Sequence, residues 1–279
     1  MTVNQALHDT KKRFRQAEVA SPETDAEWLL EVVMGLNRAG LILEREKILT
    51  TTQLEHLETS VRRREAREPL QWILGFSEFY GLKLETRVGV LIPRPETERL
   101  VELVLERLPN VAAKVVDIGT GTGAIALALK AERPKLEITA TDINMVALEL
   151  TLKNAENLKL ELQTVLTSIL DGLETIFDVI VSNPPYLPAS DDGKLDLEVQ
   201  LEPKEALFSG TDGLDLAREI VIAAQRKLKA GGLLALELDP RNAHILATEL
   251  EMGDWQDVKL ERDFVGRERF VLARRTLNG

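Results

Sequence analysis

The sequence of 279 residues contains no cysteine and only three histidines, at positions 8, 56 and 244. The absence of cysteine excludes disulfides, thiolate nucleophiles and zinc–thiolate sites, and it is compatible with a reducing compartment. The histidines lie far apart in the sequence, without the spacing of a metal site, and a Ser–His triad is equally unsupported. We therefore expect no metal centre.

Long hydrophobic runs and an excess of positive charge are also missing. No apolar run approaches the length of a membrane span, and the N-terminal segment "MTVNQALHDTKKRF" lacks the apolar core of a signal peptide. The net charge of −11 argues against a protein that coats nucleic acid. With a hydrophobic fraction of 44%, the sequence predicts a globular, cytoplasmic protein without membrane contact.

Helix signals dominate the first 70 residues. Ser21 followed by Pro22 is typical of a helix start. The segment "TTQLEHLETSVRRREAREPL" continues the helical spacing, and we expect Pro69 to end that helix. The arginine-rich stretch "RRREAR" is either an interaction surface or, more simply, a solvated helix face with ion pairs.

A hairpin and an alternating region follow the helices. Aromatic and alternating segments separated by glycines predict a hairpin within residues 71–95. From Lys114 onward strands and helices alternate, which predicts a parallel sheet with helices on both faces. Two successive strands at the end predict a last strand antiparallel to its neighbours. We assign residues 1–70 to a helical domain, 71–95 to a hairpin linker and 96–279 to an α/β domain.

The segment "VVDIGTGTGAIALAL" predicts a strand, a glycine loop and a helix. Gly119, Gly121 and Gly123 permit a tight turn and a close approach of the backbone to a ligand. Dinucleotide-binding domains and S-adenosylmethionine-dependent methyltransferases both use such loops, and a turn without a ligand is the simpler alternative. Asp142 ends the next strand, where it can accept hydrogen bonds from ribose hydroxyls or cap the following helix.

The segment "SNPPY" favours one of these two cofactors. A strand should stop at Ser182, because the following prolines cannot donate to the interior of a sheet. The side-chain oxygen of Asn183 and the carbonyl of Pro184 can each accept an N–H from a planar NH2 group. Pro185 stiffens the turn, and Tyr186 can cover the substrate group. Methylation of an amide or amino nitrogen needs this positioning, whereas hydride transfer does not. An ordinary polyproline turn is the alternative interpretation.

These motifs together resemble the release factor glutamine methyltransferases, which modify the Gly-Gly-Gln glutamine of class 1 peptide chain release factors. The resemblance covers nearly the whole chain. The matching stretches are "PLQWILG", "LIPRPETE", "DIGTGTGAIALAL", "SNPPY", "EPKEALFSGTDGL" and "GRERFVLAR". The "NPPY" motif alone is shared with enzymes that methylate amino groups of DNA and RNA. The combination of "LIPRPETE" with "EP..AL…DGL" is more specific to this family.

The resemblance implies a Rossmann-like, class I methyltransferase sheet with a smaller N-terminal helical domain that helps to grip the protein substrate. It implies S-adenosyl-L-methionine as cofactor and a class 1 release factor as partner. We also expect no direct nucleic acid contact and a monomer. The implied cofactor contacts are Gly119, Thr120, Gly121, Thr122, Gly123, Asp142, Ser168 and Asn183. The implied substrate contacts are Asn183, Pro184, Pro185 and Tyr186, of which the first two and the tyrosine are catalytic.

The sequence departs from the family pattern in two places. Thr167 and Ser168 stand where family members often carry an acidic residue followed by a bulky one near the adenine, so backbone contacts would have to replace the side-chain contact. The segment "LELDPRNA" differs from the glycine-containing form that we expect there.

Two other functions compete with this interpretation. An adenine-N6 methyltransferase would use the same "NPPY" chemistry, but it would need a basic, aromatic-bearing region to hold a flipped base. The acidic composition and the helical first 70 residues argue against it. A binding module that has lost its activity is the second alternative, and the intact glycine loop, Asp142 and Asn183 argue against that.

Overall fold

The computed structural model describes residues 1–108 and 110–276, which form two compact units. The first unit comprises Met1–Phe76 together with Asp196–Leu201, and the second comprises the rest of the described chain. The α/β domain expected over 96–279 extends over residues 109 and 277–279, which lie outside the described residues. The functional domain limits at residues 70 and 95 stay predictions.

The first unit contains five helices around a core that includes Phe14, Leu29, Leu30 and Val61. The helices are α1 (Val3–Gln16), α2 (Pro22–Met34), α3 (Arg38–Leu43), α4 (Thr51–Glu65) and α5 (Leu70–Leu74). Ser21 precedes α2 with Pro22 at its start, as predicted. The prediction for α4 extended too far. The helix ends at Glu65, Arg67 has a positive φ of 65°, and Pro69 begins the next helix.

The arginines of "RRREAR" are paired with carboxylates of the same unit. Arg64 is buried, and it donates to Asp25 at 2.7 Å and to Glu198 at 2.8 Å. Arg62 pairs with Glu58 one helical turn earlier, at 2.6 Å. The remaining two arginines of the stretch pair with Glu68 and Glu198. The ion pairs of that interpretation are confirmed, but the stretch is not a fully solvated face, because Arg64 is buried. Glu198 secures the segment 196–201 to the helices.

The second unit is built on a seven-stranded sheet. A two-stranded hairpin, β1 (Phe76–Phe79) and β2 (Leu82–Glu85), precedes it, as the alternating pattern predicts. The sheet strands are β3 (Lys114–Ile118), β4 (Glu137–Asp142), β5 (Gln163–Leu166), β6 (Phe177–Ser182), β7 (Leu228–Glu237), β8 (Trp255–Arg262) and β9 (Glu268–Arg275). Their order is β5-β4-β3-β6-β7-β9-β8. The strands from β5 to β7 are parallel, and β9 is antiparallel to both neighbours, which confirms the predicted terminal hairpin.

Helices cover both faces of the sheet. They are α6 (Thr97–Arg107), α7 (Ala124–Glu132), α8 (Met145–Leu158), α9 (Asp215–Lys227) and α10 (Ala243–Glu251). Val115 of β3 packs in a core with α6 and α7, whereas the next residue, Val116, packs with α9 and α10. Successive side chains of a strand point to opposite faces, so the apolar run of β3 serves both cores. The α/β prediction is confirmed.

Candidate active site

A cavity opens at the carboxyl ends of the central strands, where β3 lies between β4 and β6. The chain order reverses at this point, and open α/β sheets bind ligands at such a switch. The lining includes residues 89–94 and 97, 118–122, 141–144 and 167–169, together with Asn183 and Pro185. The sheet therefore brings the glycine loop, Asp142, Ser168 and Asn183 to one cavity, as the sequence motifs predicted.

The side chain of Asp117 holds the glycine loop in place through hydrogen bonds. Its Oδ2 accepts from the Thr120 hydroxyl at 2.7 Å and from the N–H of Ala126 at 3.3 Å. Burial raises the pKa of Asp117 to about 7, and among the described residues its Oδ1 has no hydrogen-bond partner. Asp117 does not line the cavity, so its role is to hold the loop against the start of α7.

The three glycines of the loop have different surroundings. Gly119 and Gly121 line the cavity, as do Thr120 and Thr122. Gly123 lies outside the lining and has a φ of 85°. A Cβ atom there would lie 3.0 Å from both Leu127 Cδ1 and Thr151 Cγ2, so packing against α8 requires a glycine. Its contact with a cofactor stays a prediction.

Asp142 faces the cavity with an ordered carboxylate. Its Oδ2 accepts from the N–H of Gly121 at 3.0 Å, and its Oδ1 accepts from the N–H of Asn144 at 2.9 Å. Burial raises the pKa of Asp142, and these backbone donors oppose that effect. The cap of α8 is Asn144, whose side chain accepts from the N–H of Val146. Asp142 is thus not the helix cap, and each of its oxygens retains acceptor capacity for a ligand hydroxyl.

Asn183 follows the last residue of β6. The Ser182 hydroxyl donates to the carbonyl of Ile118 at 2.7 Å, which fastens the strand end to β3. The side-chain Nδ2 of Asn183 donates to Thr97 Oγ1 at 3.1 Å, and both residues line the cavity. The side-chain oxygen of Asn183 therefore remains as an acceptor.

The other members of "NPPY" are placed differently. Pro185 lines the cavity, whereas Pro184 is buried outside the lining. Tyr186 packs against the core formed with α9 and α10, and burial raises the pKa of its hydroxyl. The substrate contacts of Pro184 and Tyr186 stay predictions.

Glu202 has a structural role that the sequence interpretation did not assign. Its Oε2 accepts from the N–H of Ile92 at 3.1 Å, and its Oε1 accepts from Arg94 Nη2 at 2.7 Å. The two family motifs "LIPRPETE" and "EP..AL" thus contact each other directly. The position of Glu202 before Pro203 in a family motif was the signal in the sequence, but it does not identify the groups that the carboxylate contacts.

Gly213 explains the "DGL" part of the family pattern. It has a φ of 81°, and a Cβ atom there would lie 2.1 Å from the carbonyl oxygen of Tyr186. Asn242 Nδ2 donates to that same carbonyl and to the carbonyl of Asp212, at 3.1 Å each. These contacts fix the backbone that follows Asn183.

At both departures from the family pattern, the structure shows the contacts that the residues of this chain make. In "LELDPRNA", Asp239 accepts from the backbone N–H of Arg241 at 2.8 Å, and the guanidinium of Arg241 reaches Asp191 at 2.7 Å. Thr167 and Ser168 both line the cavity, and the Thr167 hydroxyl donates to the carbonyl of Asp171. The contact of Ser168 with a cofactor stays a prediction.

Metal-binding clusters and membrane-spanning helices are both absent from the part of the chain that the structure describes. Within 1–108 and 110–276, no cluster of three or more His, Cys, Asp or Glu side chains is arranged to hold a metal ion. Across the same ranges, no helix combines the length and the apolar character needed to span a membrane.

The polar and apolar groups that line the cavity fit S-adenosylmethionine. The Asp142 carboxylate offers acceptors at the strand end, and the glycine loop lets the backbone approach closely. Apolar side chains, including Ile118, Ile143 and Ile169, provide the remaining walls, as adenine and a methyl group require.

Comparison with known proteins supports the same assignment. The family model described as the PrmC N-terminal domain matches residues 5–75, and the methyltransferase small domain matches residues 97–210. Among solved structures, the hMettl16 catalytic domain in complex with MAT2A 3'UTR hairpin 6 has a TM-score of 0.58 at 17% identity, covering 81% of this chain and 82% of that one. The T. thermophilus 16S rRNA N2 G1207 methyltransferase in complex with AdoMet and guanosine has a TM-score of 0.52 at 22% identity. The match covers 72% of this chain and 49% of that one. These likenesses show the class I methyltransferase fold.

Full-length relatives show the family. A protein of Deinococcus radiodurans named release factor glutamine methyltransferase is 46% identical over 276 residues, 99% of each chain. A protein of Salmonella typhimurium with the same name is 39% identical over 274 residues, 97% of this chain and 98% of that one. The resemblance that rested on six short motifs is confirmed over the whole length, and the chain belongs to the release factor glutamine methyltransferase family.

Proposed function

We propose that this protein methylates the side-chain amide nitrogen of the glutamine in the Gly-Gly-Gln motif of class 1 peptide chain release factors. The observation that carries the proposal is the position of Asn183, whose amide shares one cavity with the glycine loop and Asp142. When bound, S-adenosylmethionine supplies an electrophilic methyl group on a sulfonium. The residues that would hold it are those of the loop 119–122, with Asp142 at the ribose.

The chain's own contribution is positioning. An amide nitrogen is a poor nucleophile because its lone pair is delocalised, so its orientation decides the rate. The side-chain oxygen of Asn183 accepts one N–H of the substrate amide, and the carbonyl of Pro184 accepts the other. Pro185 stiffens the turn, and Tyr186 covers the planar group.

Mass spectrometry tests this function. A purified class 1 release factor incubated with the protein and S-adenosylmethionine should gain one methyl group on the Gly-Gly-Gln peptide. A release factor whose motif glutamine is replaced serves as the matched control and should gain none. Methylation of an adenine-containing oligonucleotide, with none on the release factor, would show that the methyl group is transferred to a nitrogen of a nucleic acid base instead.

The helices of the first unit bind the release factor in this proposal, and the protein acts in the cytoplasm as a monomer without direct nucleic acid contact. The net charge of −11 supports a protein substrate over a polyanion.

Hydrogen exchange of the full chain examines the role of the N-terminal helices. We expect backbone amides within residues 1–70 to exchange more slowly when a release factor is bound, because a docked surface is shielded and less mobile. The control is a release factor fragment that lacks the Gly-Gly-Gln domain. Protection confined to residues 97–276 would show that the helices do not bind the substrate.

A further inference from the structure

Glu237 is a buried carboxylate to which the proposed function assigns no role. It is the last residue of β7, and it is 0% exposed. Among the described residues neither of its oxygens has a hydrogen-bond partner. Burial raises the pKa of Glu237 to about 7, and the neighbouring Thr97 hydroxyl opposes that effect. A buried acceptor without a partner is stabilised by a hydrogen bond from any neighbouring donor.

Thr97 forms a hydrogen bond with the side-chain amide of Asn183. The orientation of that amide decides whether its oxygen or its NH2 group faces the cavity. The oxygen and the NH2 group of an Asn amide occupy nearly the same space, so a rotation by half a turn exchanges an acceptor for a donor. A substrate NH2 group needs the acceptor. If Asn183 turned its own NH2 group toward the cavity, two donors would face each other.

Thr97 by itself does not select between these orientations. A threonine hydroxyl has one proton to donate and lone pairs that accept, so it can satisfy either end of the Asn183 amide. An ionised Glu237 has no proton and only accepts. The hydroxyl proton of Thr97 is then directed to Glu237, and only lone pairs remain for Asn183, which must present its NH2 group as it does at 3.1 Å.

We propose that Thr97 and Glu237 are positioning residues that hold the Asn183 amide with its oxygen toward the substrate. In this proposal Asn183 donates to Thr97, as it does at 3.1 Å, and the hydroxyl proton of Thr97 is directed toward the unpartnered carboxylate of Glu237. The inference rests on the proposed function, since it concerns the acceptor that receives the substrate amide. Neither residue needs to touch the substrate glutamine for this role.

The orientation depends on the charge of Glu237. A protonated Glu237 donates to Thr97, which frees the threonine proton for the oxygen of Asn183 and permits the reversed orientation. The charged and titratable groups around Glu237 are Arg269 on β9, Arg94 and Glu96 before α6, and Tyr186 after β6. The two arginines lower its pKa, Glu96 raises it, and Tyr186 stays neutral near pH 7 because burial raises its own pKa. The rate should therefore rise with pH through about 7, as Glu237 ionises.

The first test compares Thr97→Val with Thr97→Ser in single-turnover methyl transfer to a release factor at saturating cofactor. The valine keeps the shape without the hydroxyl, and we expect a rate roughly tenfold to a hundredfold lower. The serine keeps the hydroxyl and should restore a rate close to that of the parent. Both variants should bind the cofactor as the parent does. A valine variant that reacts at the parent rate would overturn the proposal.

The second test measures the pH dependence of Glu237→Gln. A glutamine does not ionise in this range, and its amide can either accept from Thr97 or donate to it, so the orientation of Asn183 is no longer fixed. We therefore expect a slower rate at pH 8 and no rise between about pH 6 and pH 8. A rise equal to that of the parent would refute the role of Glu237. If Glu237→Gln fails to fold, the comparison of Thr97→Val with Thr97→Ser tests the proposal. The parent protein is assayed first. Its failure to methylate any release factor would count against the proposed function itself, whereas an active parent with unaffected variants would count against this inference alone.

Discussion

Replacement of Asn183 by alanine is expected to slow methyl transfer by roughly a hundredfold or more while leaving cofactor binding nearly unchanged. The substitution removes the acceptor that aims the substrate NH2 group. It also removes the hydrogen bond to Thr97, which lies within the same cavity. In the proposed function the glycine loop and Asp142 carry most of the cofactor site, and neither depends on the side chain of Asn183.

The measurement is single-turnover methyl transfer to a release factor at saturating cofactor, with cofactor affinity determined separately. Asn157→Ala is a matched control, since Asn157 is exposed on α8. Asn183→Asp is the sharper variant, because a carboxylate keeps an acceptor but adds charge beside a sulfonium and cannot donate to Thr97. We expect partial activity for the aspartate variant. Parent-like turnover by Asn183→Ala would mean that "NPPY" is only a turn.

The second large effect is expected for Asp142→Ala, in the affinity for cofactor. Loss of two hydrogen bonds to an ionised acceptor costs about 2–4 kcal/mol, which is roughly a 30- to 900-fold rise in Kd. The substitution also releases the N–H of Gly121, so the glycine loop loses one of its supports. Both consequences act in the same direction.

Calorimetry with S-adenosylmethionine or its demethylated product checks this prediction. Asp178→Ala is the matched control, because Asp178 also accepts a backbone N–H, that of Lys114 at 2.7 Å, but at the amino ends of the strands. Its removal should leave the affinity unchanged. An unaltered Kd for Asp142→Ala would show that the carboxylate only orders the loop, and micromolar NAD binding in place of both ligands would contradict the cofactor assignment.

Features that depend only on neighbouring residues could be predicted from the sequence. Strand and helix periodicity, the glycine loop and the prolines after Ser182 each act over a few positions, so their patterns predict local structure directly. The antiparallel last strand followed from two adjacent strands joined by a short connection. The positions of Asp142 and Asn183 at one edge followed because parallel strands end together. Family motifs added the substrate, which no local pattern encodes.

Contacts between distant segments could not be predicted in this way, because they are set by the packing of the folded chain. The pairing of β6 with β3 set the cavity, and it placed Asn183 beside Thr97, which is 86 residues away in sequence. The constraint on Gly123 comes from Thr151, and the constraint on Gly213 comes from the carbonyl of Tyr186. Such contacts result from the burial of apolar faces, which brings segments together without regard to their separation along the chain. A sequence pattern can mark a residue as polar and buried, but the partner that it meets is set only by the packing of the whole sheet.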